Sequence, residues 1–194
     1  IRTKDVQIPE LWLCPGESNM VFSLKGRANA TQEIAQANFP NIRYFSVTRQ
    51  YADHDFDDSP GAVWESTTPA TAPNFSAVAY FFAKHIHQKL NVPVGIVYSA
   101  WGGTPAEAWT PESVLKADPV LARYNDRWDT IQTNAGRDST EYHVELARWE
   151  QHHEASEKKL AEPQTFYYFK RPWREPGVLF NGMIEPVIPF AIKG

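Results

Sequence analysis

A strand, a helix and a second strand follow one another in the middle of the chain and restrict the possible folds. Residues 41–47 are β-branched and aromatic with partial alternation, which predicts a strand. Residues 76–90 predict a helix, and residues 92–98, nearly all apolar, predict a strand that is covered on both faces. The helix face expected to be buried carries Val78, Phe82, Ile86 and Leu90. This order indicates an α/β fold, in which a right-handed crossover joins parallel strands.

The composition is that of an ordinary globular protein. Hydrophobic residues make up 42% and charged residues 22% of the 194 residues, enough for a sizeable core. The net charge of −4 argues against a nucleic-acid partner, and no apolar run is long enough for a membrane span. The single cysteine, Cys14, lies in an apolar run at residues 11–14, so we expect a core residue in a strand.

The other segments of the chain are predicted to be loops, helices and the start of a further strand. Residues 31–37 predict a short helix and residues 49–74 a loop. A helical insertion is expected at about 111–162, where one stripe of a long helix carries Tyr142, Leu146, Trp149 and His153. This insertion is expected to cover a site, or else to be a solvated surface helix with a core-facing stripe. Residues 191–194 look like the approach to another strand.

The strand at residues 11–14 ends in a Pro-Gly turn that is followed by Ser18 and Asn19. A strand followed by a tight turn is how α/β enzymes present a nucleophile at the carboxyl edge of a sheet. Gly16 and Ser18 begin the nucleophile-elbow pattern of α/β-hydrolases, but Met20 stands where its second glycine belongs. The alternative is that Ser18 is merely a helix cap.

A second motif, Trp101-Gly102-Gly103-Thr104-Pro105, directly follows the strand at 92–98. Adjacent glycines let the backbone approach a ligand and point an N–H group at it, as acyl transfer requires for its oxyanion. Alone, Gly102 and Gly103 would equally fit a tight turn. Because parallel strands place both motifs at one edge of the sheet, together they indicate acyl-transfer chemistry.

Residues 16–20, 101–109 and 179–184 resemble the sialate O-acetylesterase group of the SGNH-type carbohydrate esterases. The resemblance extends from about Asp5 to Gly194. It implies a three-layer α/β/α fold with a parallel, flavodoxin-like sheet that is incomplete in this chain. It also implies hydrolysis of O-acetyl esters on sugars without a cofactor or a metal, by an exported protein.

The resemblance also assigns roles. Ser18 corresponds to the nucleophile, and its own N–H with that of Gly102 or Gly103 would hold the oxyanion. Asn181 would order a loop. Possible substrate contacts are Glu17, Asn19, Trp101 and Trp109, with Trp173 as a further aromatic candidate.

Two departures from the group's pattern change these expectations. Glu17 replaces the usual Gln, and a carboxylate there would oppose a developing oxyanion. The group's later Asp-x-x-His element, which supplies the catalytic base, has no counterpart in residues 1–194. We therefore expect residues 1–194 to be the N-terminal part of a catalytic domain. Its partner would be the rest of the same protein, as a second chain or a C-terminal part carrying the base histidine.

Other residues of this chain could in principle supply the catalytic base or bind a metal. His54 has carboxylates on both sides and is the fallback base. Asp53, Asp55 and Asp57 resemble the start of a calcium loop, but glycine and glutamate are missing at its sixth and twelfth positions, so we expect no metal site. A non-catalytic carbohydrate-binding relative with a decayed site is the alternative function, and an esterase or lipase of another substrate class is the third.

Overall fold

The computed structural model describes residues 9–56, 58–153 and 171–194. The chain divides into two compact units, the first formed by residues 1–104 with 181–194 and the second by residues 105–180. The helical insertion expected at about 111–162 falls within the second unit. That residues 1–194 form the N-terminal part of one catalytic domain stays a prediction.

The described part of the first unit contains a four-stranded sheet in the order β1-β4-β2-β3. Its strands are β1 (Glu10–Gly16), β2 (Phe39–Ser46), β3 (Trp64–Thr67) and β4 (Val94–Ala100). The helices of this unit are α1 (Ser18–Val21), α2 (Ala30–Ala35), where a short helix is predicted, and α3 (Ala77–Leu90). β4 runs parallel to both β1 and β2, which confirms the predicted α/β class and all three predicted strands.

The position of β3 differs from the sequence-based prediction. It lies within residues 49–74, predicted to be a loop, and pairs antiparallel with β2. Its four residues, Trp-Glu-Ser-Thr, are too short to show a period-two pattern, so cross-strand contact decides the conformation. The Trp64 ring lies 5.3 Å from that of Phe45 on β2, measured between ring centroids.

The core of the first unit forms where β2 and β4 meet the segment before α3 (Ala77–Leu90). β4 is buried along nearly its whole length, as the apolar run predicts. Tyr44 of β2 stacks on Phe75 with ring centroids 4.2 Å apart, and its hydroxyl accepts a hydrogen bond from the Ser76 N–H at 3.0 Å. The Ser76 hydroxyl caps α3 by accepting the Ala79 N–H at 3.3 Å.

The buried face of α3 differs from the predicted one. Small residues and one tyrosine are buried, namely Ala77, Ala79, Tyr80 and Ala83. Val78 and Leu90 of the predicted face are 50% and 57% exposed. Alanines let the helix axis approach β4 and β2 closely, and this close packing outweighs the spacing of the larger apolar residues.

Cys14 of β1 is 7% exposed, and burial raises the pKa of its thiol to about 11. The thiolate is the reactive form, so native protein at pH 8 should resist iodoacetamide and become alkylated only when urea unfolds it. Intact mass before and after denaturation measures this. Rapid alkylation of the native protein would contradict the core position predicted for Cys14.

The second unit is helical in its described part. It contains α4 (Glu112–Ala117) and α5 (Arg123–His153), with short 3₁₀ helices at Ala106–Trp109 and Pro172–Arg174. Tyr142 of α5 is buried, and Leu146 and Trp149 are half-buried, as the predicted stripe requires. The side chain of His153 lies outside the described part. Every helix that the structure describes is too short or too polar to cross a membrane.

Candidate active site

The carboxyl ends of β1 and β4 lie side by side. Gly16 is the register partner of Ala100, and the Trp101 N–H donates a hydrogen bond to the Gly16 carbonyl at 3.0 Å. The residues that follow the two strands therefore leave the sheet at neighbouring points. This is the common edge that the two sequence motifs predict.

Gly16 makes the turn that delivers Ser18. Its φ is +152°, and a Cβ at this position would lie 2.9 Å from the Met20 Cβ, so a side chain cannot be accommodated. The chain then enters the short helix α1 (Ser18–Val21), whose N-cap is Glu17. Ser18 is the first helical residue, so the alternative interpretation of Ser18 as a helix cap is wrong.

Two hydrogen-bond donors converge on the Glu17 carboxylate. The Ser18 hydroxyl donates a hydrogen bond to Glu17 Oε2, and the Gly103 N–H donates to the same oxygen at 3.0 Å. These hydrogen bonds, with that of the Ser18 backbone N–H, hold the pKa of the Glu17 carboxyl below its usual value. Glu17 is therefore ionised at neutral pH. Ser18 and Gly103 are exposed, so this cluster is open to solvent.

The backbone N–H groups of Ser18 and Gly103 are two of the oxyanion donors that the sequence predicts. In this structure the Gly103 N–H donates to a carboxylate oxygen of Glu17, so a negatively charged oxygen lies at one of the donors expected to hold an oxyanion. Gly102 lies against Ser18, since a Cβ on it would be 3.7 Å from the Ser18 hydroxyl oxygen. The arrangement is suited to stabilising negative charge beside a serine hydroxyl.

The predicted substrate contacts fall in different places. Asn19 is exposed in α1 beside Ser18, and Trp101 is half-buried directly after β4. Trp109 belongs to the second unit, at the end of the 3₁₀ helix Ala106–Trp109, and Trp173 lies in the 3₁₀ helix Pro172–Arg174 of that unit. Their contacts with a substrate stay predictions.

Asn181 has the surroundings of a loop-ordering residue. Its side-chain amide donates to the Ala52 carbonyl at 3.2 Å, and the Gln50 amide donates to the Gly182 carbonyl at 2.9 Å. A Cβ on Gly182 would lie 2.6 Å from the Gln50 carbonyl oxygen, so only glycine allows this approach. These contacts fix the segment at residues 50–52 after β2.

His54, the alternative candidate for the catalytic base, contacts a neighbouring aspartate. His54 Nδ1 lies 2.6 Å from the Asp53 carboxylate, and both side chains are largely exposed. This contact lowers the pKa of Asp53. The hydrogen-bond partner of the Ser18 hydroxyl is Glu17 and not a histidine.

Potential metal ligands are not clustered within the described residues. No group of three His, Cys, Asp or Glu side chains there is placed to hold a metal ion. Asp57, the third aspartate of the run that resembles a calcium loop, lies outside the described residues.

One residue at this edge was not predicted. Arg49 Nε donates a hydrogen bond to the Ala100 carbonyl at 3.2 Å and so places a cation at the end of β4. Its position three residues after β2 is the signal that could have found it, because the carboxyl ends of parallel strands share one edge.

The chain is similar in sequence to known proteins. It is 30% identical to the sialate O-acetylesterase of Rattus norvegicus over 205 aligned residues, covering 100% of this chain and 35% of that protein. It is 32% identical to the sialate O-acetylesterase of Homo sapiens over 140 residues, covering 68% of this chain and 27% of that protein. No family model matches the chain.

A solved structure of a carbohydrate acetylesterase is also similar to this chain. A carbohydrate acetylesterase from Xanthomonas citri superposes with a TM-score of 0.67 at 27% identity and covers 95% of this chain and 31% of that chain. The chain belongs to the sialate O-acetylesterase group. Its mixed α/β architecture is consistent with the SGNH-type fold of this group. The chain spans about a third of the length of the curated relatives it matches, which fits the expectation that it holds part of the catalytic domain.

Proposed function

We propose that this chain carries the nucleophile part of a serine esterase that removes O-acetyl groups from sugars. The convergence of the Ser18 hydroxyl and the Gly103 N–H on one carboxylate oxygen supports the proposal. The names of the relatives supply the substrate class, since they are sialate and carbohydrate acetylesterases.

In the proposed reaction the Ser18 oxygen attacks the acetyl carbonyl carbon while a base takes the hydroxyl proton. The N–H groups of Ser18 and Gly103 hold the resulting oxyanion. The bond between the carbonyl carbon and the sugar oxygen then breaks, and the protonated base returns its proton to that oxygen. Water attacks the acetyl-serine and releases acetate, which restores the Ser18 hydroxyl.

A histidine from the rest of the same protein is proposed as the base. An unperturbed serine hydroxyl is a weak nucleophile and requires a neighbouring base. Among the residues that the structure describes, the group that accepts from the Ser18 hydroxyl is Glu17, and its lowered pKa makes it a poor proton acceptor at neutral pH. His54 is bound to Asp53 and is not proposed for this role.

Acetate release and covalent trapping test the proposal together. The intact protein is incubated with O-acetylated N-acetylneuraminic acid and with an acetylated neutral oligosaccharide, and acetate is quantified. A fluorophosphonate then labels the nucleophile, and peptide mass spectrometry locates the label. We expect acetate release and a label on Ser18. A label on another residue, or no acetate from either substrate, would reject this function.

The position of Glu17 favours a second candidate, a carbohydrate-binding relative with a decayed site. Its carboxylate accepts a hydrogen bond from the Gly103 N–H, which the reaction needs as an oxyanion donor. The two functions differ in one measurement. If the protein is an esterase, the wild type releases acetate from the sugar. If it is a carbohydrate-binding relative with a decayed site, the wild type binds the sugar but releases no acetate, and only a variant without the Glu17 carboxylate can do so.

Glu17→Gln should raise kcat on p-nitrophenyl acetate about fivefold at pH 7, because a charge about 4 Å from the oxyanion costs about 1 kcal/mol in a water-like dielectric. The neutral amide removes the repulsion at nearly the same size. Glu65→Gln, at an exposed glutamate of β3, is the matched control and should leave kcat unchanged. An equal or lower kcat for Glu17→Gln would show that Glu17 does not occupy the oxyanion position.

A further inference from the structure

The Arg49 side chain extends from the end of β2 to the end of β4. Its Nε donates a hydrogen bond to the carbonyl of Ala100, a residue that is only 1% exposed. Among the described residues no carboxylate forms an ion pair with Arg49, so this hydrogen bond is not a by-product of an ion pair. A charged donor makes a stronger hydrogen bond than a neutral one. The guanidinium group therefore holds a backbone carbonyl at the edge of the sheet.

The backbone on both sides of Arg49 is held by other parts of the first unit. The Thr48 N–H donates to the Ser59 hydroxyl at 3.0 Å. The Gln50 side-chain amide donates to the Gly182 carbonyl at 2.9 Å. The Arg49 side chain thus extends from a fixed backbone position, although the residue itself is exposed.

The peptide unit between Ala100 and Trp101 is held from two sides. Its carbonyl accepts from Arg49, next to β2, and its N–H donates to the Gly16 carbonyl of β1 at 3.0 Å. A peptide unit is planar, so hydrogen bonds to both its C=O and its N–H fix the orientation of the whole plane. Arg49 is therefore one half of a clamp on the peptide unit at which the turn after β4 begins.

The turn that follows this peptide unit has little conformational restriction of its own. Gly102 and Gly103 lack side chains, and Gly103 has a φ of +77°. The Thr104 hydroxyl closes the turn by donating to the Trp101 carbonyl at 2.6 Å. The direction of the Gly103 N–H, which donates to Glu17 Oε2 at 3.0 Å, therefore depends on the clamp at the start of the turn and on Thr104 at its end.

The clamp also contacts the turn that carries Ser18. The Gly16 carbonyl, which accepts from the Trp101 N–H, belongs to the peptide unit that includes the Glu17 N–H, and Ser18 follows directly. Hydrogen bonds arranged in a chain strengthen one another, so the charged Arg49 donor also strengthens the bond between Trp101 and Gly16. Both turns thus leave the sheet from one hydrogen-bonded point.

We propose that Arg49 is a positioning residue for the oxyanion donor at Gly103. It acts through the backbone, by holding the peptide unit between Ala100 and Trp101 in the orientation that directs the Gly103 N–H toward the oxyanion. The role in the reaction rests on the proposed function, whereas the clamp rests on the hydrogen bonds of the first unit. Loss of an oxyanion donor costs about 10²- to 10³-fold in kcat, so a donor that is misdirected part of the time should cost about 10- to 100-fold.

Steady-state kinetics of the intact protein on p-nitrophenyl acetate test the proposal with two substitutions. Arg49→Ala should lower kcat about 10- to 100-fold and change KM less than about twofold, because the donor acts on the transition state. Arg49→Lys keeps a charged donor and should stay within about threefold of the wild-type kcat. Guanidinium ion, added below the concentration that unfolds the protein, should restore part of the kcat lost in Arg49→Ala. An unchanged kcat in Arg49→Ala, or equal losses in both variants without rescue by guanidinium, would overturn the proposal.

Amide hydrogen exchange separates the clamp from the esterase reaction. Without substrate, the segment at residues 101–104 should exchange about tenfold faster in Arg49→Ala than in the wild type, because its first N–H is held less firmly. Arg148→Ala, at an exposed arginine of α5, is the matched control and should leave both exchange and kcat unchanged. A wild type without esterase activity would reject the proposed function and leave the exchange result to decide on the clamp. Exchange at the wild-type rate in Arg49→Ala would overturn the clamp itself.

Discussion

Ser18→Ala should lower O-acetyl ester hydrolysis by the intact protein about 10⁴-fold or more, since loss of a serine nucleophile removes the covalent pathway. The Ser18 hydroxyl donates only to the exposed Glu17 carboxylate. The substitution should therefore change the free energy of unfolding by no more than about 0.5 kcal/mol, as is usual for exposed positions. Initial rates with p-nitrophenyl acetate, together with thermal unfolding curves, measure both effects.

Ser46→Ala is the matched control for this experiment. Ser46 is an exposed serine at the carboxyl end of β2, at the same edge of the sheet. Its removal should leave both the rate and the unfolding temperature unchanged. If Ser18→Ala hydrolysed acetyl esters at the wild-type rate, another residue would have to be the nucleophile, and the proposed function would fail for this site.

The sheet could be predicted from sequence where the strands are long and apolar. β4 is buried on both faces, so nearly every residue is apolar, and β2 shows its inward residues Ile42 and Tyr44 by alternation. β3 could not be predicted, because four residues with mixed polarity carry no period. Its conformation depends on pairing with β2, which is a contact distant in sequence.

The buried face of α3 shows the limit of periodicity. Val78 and Leu90 have the spacing of a core stripe but are exposed, while Ala79 and Ala83 face the sheet. Hydrophobic spacing indicates that a helix is amphipathic. It does not indicate how closely the helix approaches its sheet, and here the small residues determine the contact.

The candidate site was partly predictable for a topological reason. Two turns that follow parallel strands must meet at one edge, so the proximity of Ser18 and Gly103 follows from the strand assignments. The rotamer of Glu17 does not follow from them. That its carboxylate accepts from both Ser18 and Gly103 depends on local geometry that no sequence pattern encodes.

A cavity of about 240 Å³ within the second unit could not be predicted from the sequence. Its helical residues, Tyr124, Arg127 and Trp128, have an ordinary helical spacing, which by itself predicts only a common face. Glu107 and Arg174 complete the lining from segments distant in sequence. Only the fold of that unit brings these residues together.

Gly103→Ala should lower kcat about 10²- to 10³-fold, the usual cost of losing one oxyanion donor. Gly103 has a φ of +77°, and an L-residue there costs about 1–2 kcal/mol. A Cβ on Gly103 would meet no atom within 4 Å, so the added methyl group itself causes no clash. The variant therefore acts through the backbone, which relaxes and turns the N–H away from the oxyanion position.

Gly61→Ala is the matched control for Gly103→Ala, because Gly61 has a φ of +78° and also has no atom within 4 Å of a Cβ. The two variants should lose similar stability, measured by urea denaturation, since both place alanine in the same backbone conformation. Only Gly103→Ala should lose kcat. If both variants kept the wild-type kcat, the Gly103 N–H would bind Glu17 in the resting protein without taking part in the reaction, and the oxyanion donors would have to be sought elsewhere.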